Sequence, residues 1–194
     1  MTDFPNRAKA AVLMGARPNR DRARAALAGT TCRVAIKGEI TDATAAAVKR
    51  QLAAGTNAGT LIVTIDSQGG DLAAAFDIFD AIRAHGAKTR ITESRGATHS
   101  AAALVFASGD VRRLHPGATV LLHGAELEPQ AAGRWTASRY ATLAKRVAAL
   151  DRGVAATIAS AIGCQVETID REMRDESLTP LARAKSIGLA TELL

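Results

Sequence analysis

A serine, a histidine and a pair of glycines carry the chemistry legible in this 194-residue chain. Ser100 lies in R-G-A-T-H-S-A-A-A, where an apolar helix is expected to begin. Its hydroxyl can stand above a sheet edge there, and the next amide, that of Ala101, can point into the same space. His123 ends the apolar run T-V-L-L-H and precedes Gly124. A serine nucleophile needs a base to take its proton, and a strand-end histidine can reach the same edge. The imidazole in turn needs an acceptor to hold its tautomer. Asp170, Glu172, Asp175 and Glu176 are the late candidates, and spacing does not choose among them. Gly69 and Gly70, in D-S-Q-G-G-D-L, form a turn whose amides can stabilise a developing negative charge. Plainer roles fit the same residues. Ser100 and Asp71 can be helix caps, the glycines a tight strand–helix turn, and His123 a core histidine bonded to backbone.

The other histidines offer less. His85 follows a helix and reads as a surface residue near its C-terminus; His115 sits in a loop beside Pro116 and Gly117. His99 is next to Ser100, and sequence neighbours rarely face each other as a base requires. Several chemistries are excluded by pattern. There is no third glycine for a dinucleotide loop, no phosphate-binding Lys–Ser/Thr pair and no G-x-S-x-G elbow. Cys32 and Cys164 lack metal-ligand spacing and read as small core residues of a reducing compartment.

The elements that must position these groups alternate. Arg33–Ile40 reads as a strand, and Thr41 or Asp42 caps an alanine-rich helix to about Ala54. T-L-I-V-T-I-D, Thr60–Asp66, is β-branched and nearly uninterrupted, as a strand buried on both faces should be. Asp71 starts a helix with Leu72, Phe76, Phe79 and Ile82 along one stripe. Thr89–Glu93 is expected to be a short strand and Arg95–His99 a turn around Gly96. Ser100–Ser108 is expected to be a helix, Thr119–His123 a strand and Trp135–Ala161 a long helix. Short helices follow at Val166–Arg174 and Pro180–Ile187. Strand–helix alternation of this kind predicts right-handed crossovers and a largely parallel sheet.

The chain is 47% hydrophobic, 23% charged and 3% aromatic, the profile of one globular domain rather than a disordered segment. No run approaches the roughly 20 apolar residues of a membrane span. The formal charge of +6 invites a nucleic-acid reading, yet the first 25 residues hold six basic side chains against two acidic ones. Four of the six charges therefore belong to the tail. Residues 1–30 are read as a basic, flexible arm and 31–194 as the folded domain. Nucleic acid is not the expected partner.

The ordered succession G-E-I, I-D-S-Q-G-G-D-L-A-A-A-F-D-I-F-D-A-I-R, G-A-T-H-S-A-A-A-L-V-F-A-S-G-D, L-H-P-G-A-T-V-L-L-H and R-D-E-S-L-T…S-I-G-L resembles the Clp protease proteolytic-subunit family. These pieces cover most of residues 33–190 in the family's order. The resemblance implies an α/β fold of repeated β-β-α units, of the ClpP/crotonase type, with a long helix near the C-terminal third. It also implies a serine endopeptidase working through an acyl-enzyme. Ser100 matches the family's nucleophile, His123 its strand-end histidine and Asp175 the aspartate of its D-x-x-(L/M)-(S/T) pattern. Glu176 aligns in place of Asp175 if no residue is inserted before Gly188. Gly69, Gly70 and Ala101 match the oxyanion-hole segments. Gln68 stands where the family usually has a turn proline, His99 where it has a small residue, and Ala101–Ala102 where it has Met-Gly. The resemblance further implies a cytoplasmic homo-oligomer acting on peptide or unfolded protein, with an ATPase unfoldase as partner and no cofactor. A catalytically silent scaffold subunit, or an acyl-CoA enzyme of the crotonase group, are the alternatives.

Overall fold

The computed structural model describes residues 30–126 and 134–194, so the expected basic arm lies outside the described residues but for Thr30. Thirteen elements follow in order. They are β1 Thr31–Lys37, α1 Asp42–Ala54, β2 Thr60–Ser67, α2 Leu72–Ala84, β3 Thr89–His99, α3 Ala101–Ala107 and β4 Val111–Leu114. Then come β5 Thr119–Leu121, α4 Ala137–Ile162, α5 Val166–Asp175, β6 Leu178–Thr179, α6 Leu181–Ser186 and β7 Glu192–Leu193. β1, β2, β3, β4 and β7 form one parallel run, and β5 pairs β3 while carrying antiparallel β6. The fold is thus the mixed α/β architecture with a mostly parallel sheet that the alternation predicted, including the long helix.

Local chemistry explains the elements. Thr41 Oγ1 accepts the Thr44 N–H and Asp71 Oδ1 the Ala74 N–H, capping α1 and α2. β2 alternates core residues Leu61, Val63 and Ile65 with half-buried ones, so its second face is less deeply covered than the sequence suggested. α3 is buried on every side, and each of its seven residues lies in the core. Burying Leu104 and Phe106 there contributes about 1.5–3 kcal/mol apiece. α4 buries only Ala155, Ile158 and Ala159, in its C-terminal half, and ends at Gly163 in the left-handed region, φ 77°.

Four differences from the sequence reading matter. β3 does not turn at Arg95 but runs on to His99. The register slips between Ile65–Ser94 and Ser67–Thr98, and Asp66 Oδ1 fills the gap by accepting the Ala97 N–H at 3.0 Å. A Cβ on Gly96 would fall 2.1 Å from that oxygen, so the glycine permits a bulge rather than a turn. The bulge lets β3 pair β4 with its first half and β5 with its second. β1 stops at Lys37, and Ile40 returns only as a bridge to Gly70. His123 lies two residues past the end of β5. His85 is buried, its Nε2 3.2 Å from the Gly55 carbonyl and its Nδ1 accepting the Ala87 N–H, so it tethers two loops.

Candidate active site

Ser100 stands at the junction of β3 and α3 with φ 53° and ψ −127°, a conformation that side chains rarely adopt. Its hydroxyl makes no capping bond to α3, so the ordinary reason for a serine at a helix start does not apply. Its N–H instead donates to Leu121 O of β5 at 2.8 Å. The strand-to-helix reversal is held by backbone bonding and by the burial of α3 immediately behind it.

The glycine turn closes against this residue. Gly69 (φ 103°) approaches so closely that a Cβ there would lie 2.7 Å from Ser100 Cβ and 2.9 Å from the His99 carbonyl. The turn is clamped on its far side to Ile40. Ile40 N–H donates to Gly69 O and Asp71 N–H to Ile40 O, each at 2.8 Å. Gly69 N–H donates to Ser67 Oγ at 3.1 Å. In a parallel bridge of this kind the Gly70 amide points away from Ile40, and Gly70 lines a cleft of about 230 Å³ together with Ser100, Ala101 and His123. The Ala101 amide belongs to the first turn of α3, whose donors have no partner within the helix.

His123 Nδ1 donates to the carbonyl of Gly124 at 2.7 Å, which leaves Nε2 as the unprotonated nitrogen of the neutral ring. Among the described residues only Glu126 brings a carboxylate within 4 Å of this ring, at 3.9 Å, and Glu126 is 89% exposed. Asp175 ends α5 and accepts a hydrogen bond from Ser177 Oγ at 2.8 Å. Glu176, the C-cap of α5 at φ 49°, lines a second cleft of about 430 Å³ with Gly124. Met173 borders both clefts. Asp170 pairs Arg174, and Glu172 pairs Arg183, each at 2.6 Å. Ser100 and His123 therefore share one cleft, while Asp175 is turned towards Ser177.

Two contributors were not read from the sequence. Asp151, a single acid in an alanine-rich stretch of α4, accepts the Ala125 N–H at 2.6 Å and so holds the segment after His123. His99, set aside because it adjoins Ser100, bonds Gln68 and Thr119. Burial, and then the charge of His123, hold its pKa below the ordinary histidine value. The thiols of Cys32 and Cys164 are free and pushed up by burial, which disfavours thiolate chemistry at either. Among the described residues no His, Cys, Asp or Glu cluster could hold a metal, and no helix is long and apolar enough to cross a membrane.

The bulged parallel sheet, the buried helix behind Ser100 and the glycine turn facing it define a fold of the ClpP type. A ClpP1 mutant from Listeria monocytogenes shares it with a TM-score of 0.70 and 24% identity, over 84% of this chain and 91% of that one. No curated protein sequence matches the chain. The family model for Clp protease matches residues 22–194, and the chain belongs to that family of peptidases.

Proposed function

We propose that the chain is a serine endopeptidase that cleaves peptide or unfolded protein through an acyl-enzyme. The observation carrying this reading is the backbone of Ser100, held at φ 53° without a capping bond on a cleft shared with His123. His123 Nε2 takes the Ser100 proton as Oγ attacks the substrate carbonyl. The Gly70 and Ala101 amides receive the oxyanion, and Gly69, its own N–H occupied by Ser67, supplies the close approach. The His123 imidazolium then protonates the leaving amine, and water attacks the ester through the same base. Asp175 orients His123 once it exchanges Ser177 for the imidazole, and Glu176 is the other acid one residue away. A homo-oligomer in the cytoplasm, fed by an ATPase unfoldase, is the setting that family membership supports.

The orientation of Asp175 favours a second reading, a subunit that is catalytically silent and serves assembly. Fluorophosphonate labelling separates the two. The peptidase reading expects wild type to label and Ser100→Ala not to. Folded, assembled protein that fails to label favours the scaffold, and a labelled Ser100→Ala variant means another nucleophile.

A further inference from the structure

Two side chains that depart from the family's usual residues, Gln68 and His99, meet in the structure. His99 Nδ1 is 2.6 Å from Gln68 Oε1, and its Nε2 is 2.8 Å from Thr119 Oγ1. The three residues belong to three segments that build the cleft. Gln68 precedes the Gly69–Gly70 turn, His99 precedes Ser100, and Thr119 opens the strand that leads to His123.

The donors and acceptors define one neutral tautomer. An amide oxygen only accepts, so Nδ1–H donates to Gln68, and Nε2 accepts the Thr119 hydroxyl. The lowered pKa of His99 agrees with a ring that stays neutral near pH 7.

Main-chain bonding leaves a task for this bridge. The β2–β3 register ends at Ser67–Thr98 and the β3–β5 register at His99–Leu121. Beyond Ser67 the glycine turn is bonded through its backbone to Ile40, on the side away from Ser100. The Gln68–His99 bond crosses to the Ser100 side, where Gly69 and Ser100 touch with no room to spare.

We propose that His99 is a positioning residue, which fixes the spacing between the Gly70 and Ala101 amides by tying the glycine turn to β3 and β5. This rests on the peptidase reading. A displacement of about 1 Å in such a site costs up to about a hundredfold in rate. His99→Ala should therefore lower kcat by about 10- to 100-fold, leave KM within about threefold and slow fluorophosphonate labelling in parallel. Gln68→Ala should do the same to a lesser degree. His99→Asn can present an N–H where Nδ1 stood and should recover most of the lost rate. Histidine nitrogen NMR gives a readout apart from activity: His99 should be protonated on Nδ1 in wild type and lose that preference in Gln68→Ala.

The outcomes separate cleanly. A wild-type chain that does not label removes the peptidase reading and this role with it. A chain that labels equally fast with His, Asn or Ala at position 99 overturns the positioning role alone. Equal impairment of His99→Ala and His99→Asn, with equal losses in denaturant midpoint, reduces His99 to a packing residue. A ring protonated on Nε2 in wild type contradicts the bridge directly.

Discussion

Replacing Ser100 by glycine should remove the proposed nucleophile and stabilise the protein. At φ 53° and ψ −127° Ser100 occupies a region essentially reserved for glycine. Holding a side chain there costs about 1–3 kcal/mol. Glycine relieves that strain but adds about 0.5–1 kcal/mol of unfolded-chain entropy. The net gain expected is about 0–2.5 kcal/mol. The proper reference is Ser100→Ala, which keeps a Cβ in the strained position and deletes only a hydroxyl that makes no capping bond. Both variants lack the oxygen, so chemistry drops out of the comparison. With a urea slope of about 2 kcal/mol/M the glycine variant should unfold up to about 1.25 M later than the alanine variant. Protomer concentration must match, because assembly would shift both midpoints. A glycine midpoint below that of alanine, with equal slopes, would show that no such strain is stored at Ser100, and the main support for a nucleophile there would go.

Other perturbations test neighbouring parts of the site. Gly69→Ala must place a Cβ 2.7 Å from Ser100 Cβ at φ 103°, so it should cost about 2–4 kcal/mol in urea unfolding and slow labelling by at least about a hundredfold; a fully active, fully stable variant would contradict the close approach. Asp175→Asn should reduce peptide hydrolysis by about 10³–10⁴ while Glu176→Gln changes it by less than about tenfold, and the reverse ranking would move the role to Glu176. Asp110, bonded by Arg90 through Nε at 2.9 Å and Nη2 at 2.8 Å, ties β3 to the turn before β4, and Asp110→Asn should lose about 1–2 kcal/mol at neutral pH. Burial raises the Asp110 pKa, but the Arg90 bonds outweigh it and leave it below its ordinary 3.8. Its stabilisation is therefore complete above that value and lost as pH falls through the lower folded one, so the two proteins should converge in acid urea titrations.

How much was legible follows from how local each cause is. β2 could be read because one β-branched run carries it, and α1 because Thr41 caps it two positions before an alanine stretch. The extension of β3 could not. Gly96 has the look of a turn residue, and the reason it sits inside a strand is Asp66, thirty residues earlier, whose carboxylate occupies the space a Cβ would need. β4, β6 and β7 are too short for periodicity, and their partners supply the pairing. His85 looked exposed because its helix ends there, yet Gly55, from another loop, takes its Nε2. Within the site, Ser100, His123 and the glycines stood out by position, whereas the strain at Ser100 and the Gln68–His99–Thr119 bridge are tertiary facts.

The departures from the family pattern fall unevenly, and the physical division of labour explains why. The Gly70 and Ala101 amides proposed to bind the oxyanion, the strained backbone of Ser100 and the clamp to Ile40 are main-chain features, so Gln68, His99, Ala101 and Ala102 can replace other side chains without deleting a donor. The histidine's partner is different, because only a side chain can supply a carboxylate. In the proposed mechanism that carboxylate is drawn from the C-terminus of α5, where Asp175 is the last helical residue and Glu176 the cap at φ 49°. At a helix end one residue is a rotation of about 100°, so a shift of the cap by one position exchanges which acid faces the cleft with Gly124. On the peptidase reading, which of these two acids serves His123 depends on where α5 stops, and replacing Glu176 with glycine, which suits the left-handed cap, should fix that stop while leaving Asp175 as the only acid of the pair. Hydrolysis retained in Glu176→Gly and lost in Asp175→Asn would assign the acid to the helix; hydrolysis lost in Glu176→Gly would assign it to the cap.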